Sequence, residues 1–193
     1  MYSKDSGPPA QHVVLIGFMG SGKTTVGSLL ARQLGLPFVD MDHLIAQQAR
    51  QSIPRIFEEE GEAGFRRRES AVLTELITAP RAVIATGGGV VTVPDNLPKL
   101  KDLGFVIWLN PPEDVIYSRI CRNQDRPLLR TPNPRLTVSE LLTRRLALYA
   151  SAAILEADVS EVTPEEAAYG LAESARFYFA SKAVCPKPSS AST

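Results

Sequence analysis

Apolar residues gather in short runs along this chain, at 12–17, 37–41, 82–86, 105–109 and, more weakly, 154–159. Between the runs, apolar positions recur at helical spacing, as at Val26, Leu29, Leu30 and Leu34. Strands that read as continuous apolar runs are buried on both faces, the mark of a parallel sheet covered by helices. The pattern predicts a single doubly wound α/β domain with no internal repeat. Its last helix carries a clear start signal: Thr163 as N-cap, Pro164 in the first position and Glu166 where a capping box needs it. Residues 1–11 and 183–193 read as flexible tails around a domain at 12–182.

In such sheets ligands sit at the C-terminal ends of the strands, so chemistry is expected there. The first run leads into Gly17-Phe18-Met19-Gly20-Ser21-Gly22-Lys23-Thr24, which fits G-x-x-x-x-G-K-[ST]. A glycine-rich turn between a strand and a helix can cradle phosphates with backbone N–H groups. Lys23 would reach the β- and γ-phosphates, and the Thr24 hydroxyl would bind Mg²⁺.

The second run ends in Asp40-Met41-Asp42. Read as strand residues two apart, both carboxylates share a face. Mg²⁺ suits one of them, and the other is free to accept a hydroxyl proton. Capping of a helix that opens at His43 is the plainer reading of Asp42. The third run ends in Gly87-Gly88-Gly89, whose ordering makes sense where backbone approaches a ligand; a flexible turn is the alternative. Arg66, Arg67 and Arg68 fan out around a helix, so one or two can face a pocket while Glu58, Glu59, Glu60 and Glu62 pair with the rest. Arginine grips a planar carboxylate through two parallel hydrogen bonds.

Composition narrows the partners. The formal net charge is zero, which argues against a sequence-independent nucleic-acid binder. Yet seven arginines stand against Asp125 and Glu140 between Arg119 and Arg145, a local net of +5 that suits a polyanion. Asp125-Arg126-Pro127-Leu128-Leu129 lies in a proline-rich loop; Arg126 could neutralise charge on a transferring phosphoryl group, or be a surface charge. Cys121 and Cys185 make neither a metal pattern nor a disulfide framework, so a reducing cytoplasm is expected. No run approaches the roughly 18 apolar residues of a membrane span, and residues 1–11 lack a leader pattern.

Taken in order, G-x-x-x-x-G-K-T, D-x-D, F-R-R-x-E, G-G-G, R-P-L-L, R-x-x-x-Y and D-x-x-x-x-x-P resemble the shikimate kinase family from about His12 to Pro164. The resemblance implies a P-loop kinase fold, three layers α/β/α around a five-stranded parallel sheet, with a mobile lid at about 122–135. It implies transfer of the γ-phosphate of ATP to the 3-hydroxyl of shikimate, with Mg²⁺ as cofactor. By matching position, Gly20, Ser21, Gly22, Lys23, Thr24 and Thr25 would hold phosphates, and Thr24 with Asp40 the Mg²⁺. Asp42 would bind the shikimate hydroxyls and act as base. Arg66 and Arg145 would clamp the carboxylate, Glu69 would support them, and Gly87, Gly88 and Gly89 would line the acceptor and the γ-phosphate. Arg126 looks like the lid arginine, Arg119 like the one that stacks on adenine, and Asp158 to Pro164 like the adenine loop. A monomer acting on shikimate and ATP, without nucleic acid or membrane, is expected. A gluconate kinase and a non-catalytic ligand-binding module are the rival readings. Ala147 and Ala157 depart from the family pattern without removing a functional group, and Arg68 has no role in it.

Overall fold

The computed structural model describes residues 11–121 and 131–184. All five apolar runs form strands: β1 (His12–Ile16), β2 (Phe38–Asp40), β3 (Val83–Ala85), β4 (Gly104–Leu109) and β5 (Leu155–Ala157). They pair in parallel in the order β2-β3-β1-β4-β5. β1 and β4 are buried throughout, as continuous apolar runs require.

Alternation along the strands sends side chains to two cores. Val14, Ile16, Ile84, Val106 and Trp108 face one side. There they meet Met41 and Ile45 of α2 (Met41–Ala49) and Ile56 and Leu73 of α3 (Ile53–Leu76). Leu100 of α4 (Asn96–Leu103) and Tyr149 of α6 (Pro134–Ala152) complete that layer. Val13, Leu15, Val83, Phe105 and Ile107 face the other side, against Val26 and Leu30 of α1 (Lys23–Leu34) and Ala168 and Leu171 of α7 (Pro164–Val184). The result is the expected α/β/α sandwich. A smaller cluster joins Phe18 to Ile116 and Ile120 of α5 (Glu113–Cys121) and to Val138 and Leu142 of α6. No helix among the described residues is long and apolar enough to cross a membrane.

Two local features differ from the sequence reading. β2 stops at Asp40, whose carboxylate accepts from the N–H groups of Asp42 and His43 at 3.1 and 3.3 Å. Asp40 is therefore the N-cap, and Asp42 stands in the first turn of α2 rather than beside Asp40 on a strand. The second is a kink in α3 at Gly61, with φ 67° and ψ −177°. Across the kink, Arg68 Nη2 lies 2.6 Å from Glu60 Oε1, which accounts for the arginine that had no role.

Register positions the site. Leu15 pairs with Ala85, and Ala85 pairs with Asp40, so the three lie abreast near the C-terminal edge of the sheet. The glycine-rich turn after β1, the cap of α2 and the glycines after β3 thus emerge side by side.

Candidate active site

The turn after β1 depends on glycine. Gly17, Gly20 and Gly22 have φ of 141°, 78° and 99°, in the region where a Cβ is strained. Gly22 is the N-cap of α1 and carries no side chain with which to cap the helix's first N–H groups. Residues 19–26 line a cavity of about 520 Å³ together with Asp40, Asp42, Thr86, Gly88, Arg119, Val159, Val162, Pro164 and Ala167. Helix start and loop therefore present backbone donors to a space large enough for a nucleotide.

Lys23 is buried and donates to the carbonyls of Gly17 and Phe18, each at 2.8 Å, and to Ser21 Oγ at 3.4 Å. Those contacts seat the ammonium at the loop's neck. Thr24 Oγ1 donates to Asp40 Oδ2 at 2.8 Å. These two hard oxygen donors fit Mg²⁺, which keeps much of its water and takes phosphate oxygens for the rest. Among the described residues no group of three or more His, Cys, Asp or Glu could hold a metal by itself. The donor set suits a nucleotide-borne ion.

A second cluster surrounds the glycines after β3. Glu69 is fully buried and accepts from Arg66 Nη1 at 2.8 Å, while Arg66 Nη2 reaches Glu62 at 3.1 Å. A Cβ at Gly87 would stand 2.3 Å from Glu69 Oε1 and 3.0 Å from Asp42 Oδ1. One at Gly89 would stand 2.2 Å from Arg66 Nη2. Arg145 Nη1 donates to the Gly88 carbonyl at 3.1 Å, and its guanidinium lies 5.5 Å from the centre of the Phe18 ring. Two arginines and two carboxylates thus meet at one turn.

Burial governs the electrostatics here. It pushes the Glu69 carboxyl above the usual carboxylate range, against the pull of Arg66. Burial also works against the charge on Arg66, but Glu69 and then Glu62 outweigh it and leave the guanidinium raised. Tyr149, also fully buried, is pushed up to about 12 by burial.

The sequence-predicted residues fall into four groups. Gly20, Ser21, Gly22, Lys23, Thr24, Thr25, Asp40, Asp42, Gly88, Arg119 and Pro164 line the cavity. Arg66, Glu69, Gly87, Gly89 and Arg145 form the adjoining cluster. Asp158 is outside the cavity lining, and its carboxylate accepts from Ser160 N at 2.8 Å. Arg126 and the lid segment 122–130 lie outside the described residues, and α6 begins at Pro134 within the stretch read as lid. Asp42 reaches the site from a helix start, so the shared strand face was the wrong route to the right location. Sequence reasoning missed Phe18 and Thr86: Thr86 Oγ1 donates to the Leu15 carbonyl at 3.1 Å, tying β3 to β1. Adjacency to a strand end was the one signal either carried.

Known proteins resemble this chain over most of its length. A family model described as shikimate kinase matches residues 19–176. The shikimate kinase of Psychrobacter arcticus is 42% identical over 176 residues, covering 91% of this chain and 95% of that protein. The structure of a shikimate kinase from Acinetobacter baumannii in complex with shikimate superimposes with a TM-score of 0.83 and 38% identity, over 88% of this chain and 95% of that one. A shikimate kinase structure from Aquifex aeolicus gives a TM-score of 0.75 at 37% identity, over 86% of this chain and 96% of that one. With its donor loop, its arginine-lined glycine turn and these relatives, the chain belongs to the shikimate kinase family.

Proposed function

We propose that the protein transfers the γ-phosphoryl group of ATP to the 3-hydroxyl of shikimate, giving shikimate 3-phosphate and ADP. The observation that carries this reading is the meeting of Asp42, Arg66, Glu69 and Arg145 at the Gly87–Gly89 turn, directly beside the phosphate loop. Arg66 and Arg145 supply the forked donors that a carboxylate-bearing acceptor needs. Asp42 supplies an acceptor for a hydroxyl proton.

The reaction asks the protein for position and charge neutralisation. The acceptor oxygen forms a bond to the γ-phosphorus while the bond to the β,γ-bridging oxygen breaks, and ADP leaves with that electron pair. The hydroxyl proton passes to Asp42 and then to water. Lys23 and the amides at the start of α1 bear on the phosphate charge, and Arg119 lies on the nucleotide side, donating to the Gly20 carbonyl at 3.4 Å. Arg126 carries over from the family pattern as a further cation on the transferring group. Thr24 and Asp40 would hold Mg²⁺, which would supply charge neutralisation on the phosphates.

An ADP-release assay with ATP and Mg²⁺ tests the reading, with shikimate, quinate and gluconate as acceptors. Shikimate is expected to support turnover far above the other two. Turnover with gluconate instead would make this a different small-molecule kinase. Binding of ATP and shikimate without ADP formation would make it a ligand-binding module.

A further inference from the structure

Tyr149 is the largest fully buried side chain among the described residues, and its hydroxyl reaches Gly88 of the cavity lining. The ring stacks on Trp108, with centroids 5.7 Å apart and planes at 24°. The hydroxyl donates to the Gly88 carbonyl, the oxygen that also accepts from Arg145. Arg145 and Tyr149 are one helical turn apart on α6, which puts both donors on one face. Burial keeps the phenol protonated, so it remains a donor at any working pH.

Gly88 faces the phosphate loop. A Cβ there would stand 3.0 Å from Met19 N and 3.5 Å from the Phe18 carbonyl carbon. The Gly88 peptide is thus held between α6 on one side and the loop backbone on the other. Because a peptide unit is planar, fixing its C=O also fixes the N–H of Gly89. Gly87 and Gly89 in turn pack against the acceptor-side groups Glu69, Asp42 and Arg66.

We propose that Tyr149 is a positioning residue: with Arg145 it holds the Gly88 carbonyl, and so sets the alignment of the phosphoryl donor against the acceptor. The proposal rests on the kinase reading above. A buried tyrosine that only satisfies a carbonyl would affect stability alone. A positioning tyrosine would act on turnover, since the groups that bind each substrate stay in place when its hydroxyl is removed.

Tyr149→Phe in the full chain separates the two. ADP release by the unaltered protein with shikimate is measured first; its absence would refute the kinase reading and this proposal with it. Given turnover, Tyr149→Phe is expected to lower kcat by about tenfold, the effect of one lost hydrogen bond. Both KM values should stay within about twofold, because the binding groups are untouched. Trp108 is the sole tryptophan, so an unchanged fluorescence spectrum will report that the ring stack survives. A kcat within twofold of the parent overturns the proposal. So does a loss confined to KM, and so does loss of cooperative melting, which would make the hydroxyl a stability element only.

Discussion

Arg66 and Glu69 form an ion pair at 2.8 Å in which the carboxylate is fully buried and the guanidinium side chain is only 14% exposed. The pair sits one turn apart on α3, beyond the Gly61 kink, and it faces Gly87 and Gly89. Such a pair is costly to break from one side, since the remaining charge stays buried.

Removing Glu69 should therefore damage both fold and acceptor binding. Glu69→Ala leaves Arg66 with the exposed Glu62 alone. A stability loss of about 3 kcal/mol is expected by urea denaturation. The shikimate KM should rise about tenfold or more, as the guanidinium loses its orientation. Glu69→Gln, which keeps the volume, should lose less stability. An unchanged KM in both variants would separate this pair from the acceptor.

Asp40 carries two separable duties, accepting from Thr24 and capping α2. Asp40→Asn keeps an oxygen for the cap but loses the charge that would draw Mg²⁺. Asp40→Ala loses both, and the lost cap should cost about 1 kcal/mol. Melting temperature is expected to fall in Asp40→Ala and to hold in Asp40→Asn, while activity at limiting Mg²⁺ falls in both. Full activity in Asp40→Asn would remove Asp40 from the metal site.

Neighbouring glycines should fail in different ways. A methyl at Gly89 meets the Arg66 guanidinium at 2.2 Å, a side-chain end that can move only by loosening its pair with Glu69. Gly89→Ala should raise the shikimate KM about tenfold with little change in ATP affinity. A methyl at Gly88 meets loop backbone at Met19, 3.0 Å away, which cannot swing aside. Gly88→Ala should instead weaken nucleotide binding, read by titration. Identical profiles for the two variants would contradict this division.

At the opposite end of the sheet His12 is fully buried, with Nδ1 accepting from Ala82 N at 3.1 Å and Nε2 making no hydrogen bond of ordinary geometry. Burial, against the neighbouring Leu76 and Ala82 backbone, lowers its pKa from 6.5. The unfolded chain therefore takes up the proton first as pH falls. The stabilising contribution is complete above pH 6.5 and is lost on acidification below it. Glu69, raised from 4.5, contributes the opposite slope above that value, so the test is a difference between proteins. The melting temperature should fall more steeply from pH 7 to 5 in the parent than in His12→Asn. Parallel slopes would refute the assignment.

Much of the architecture was legible because its signals are local. The capping box at the start of α7 is present as read: Thr163 N donates to Glu166 Oε2 at 2.8 Å, and Glu166 N donates to Thr163 Oγ1 at 3.2 Å. The five runs became strands within a residue or two of their predicted ends. Asp40 and Asp42 misled because one side chain's hydrogen bonds ended the strand early, and a period-two reading has no term for that. Arg68 was half legible: the acidic run was expected to pair with the arginines turned from the pocket, and Glu60 does so, but which glutamate it would be was hidden. Its partner Glu60 is eight residues away across a break in the helix, where straight-helix spacing does not apply.

By itself, then, the amino-acid order determined the strands, the glycine-rich turn and the residue types suited to a phosphate donor and a carboxylate-bearing acceptor. Those features depend on neighbours within a turn or two. Only the tertiary structure decided where they meet. The parallel register sets Leu15, Asp40 and Ala85 abreast, and the packing of α6 brings Tyr149 to Gly88 across 61 positions of chain. Contacts at that separation follow from strand pairing and helix packing, which no local spacing encodes.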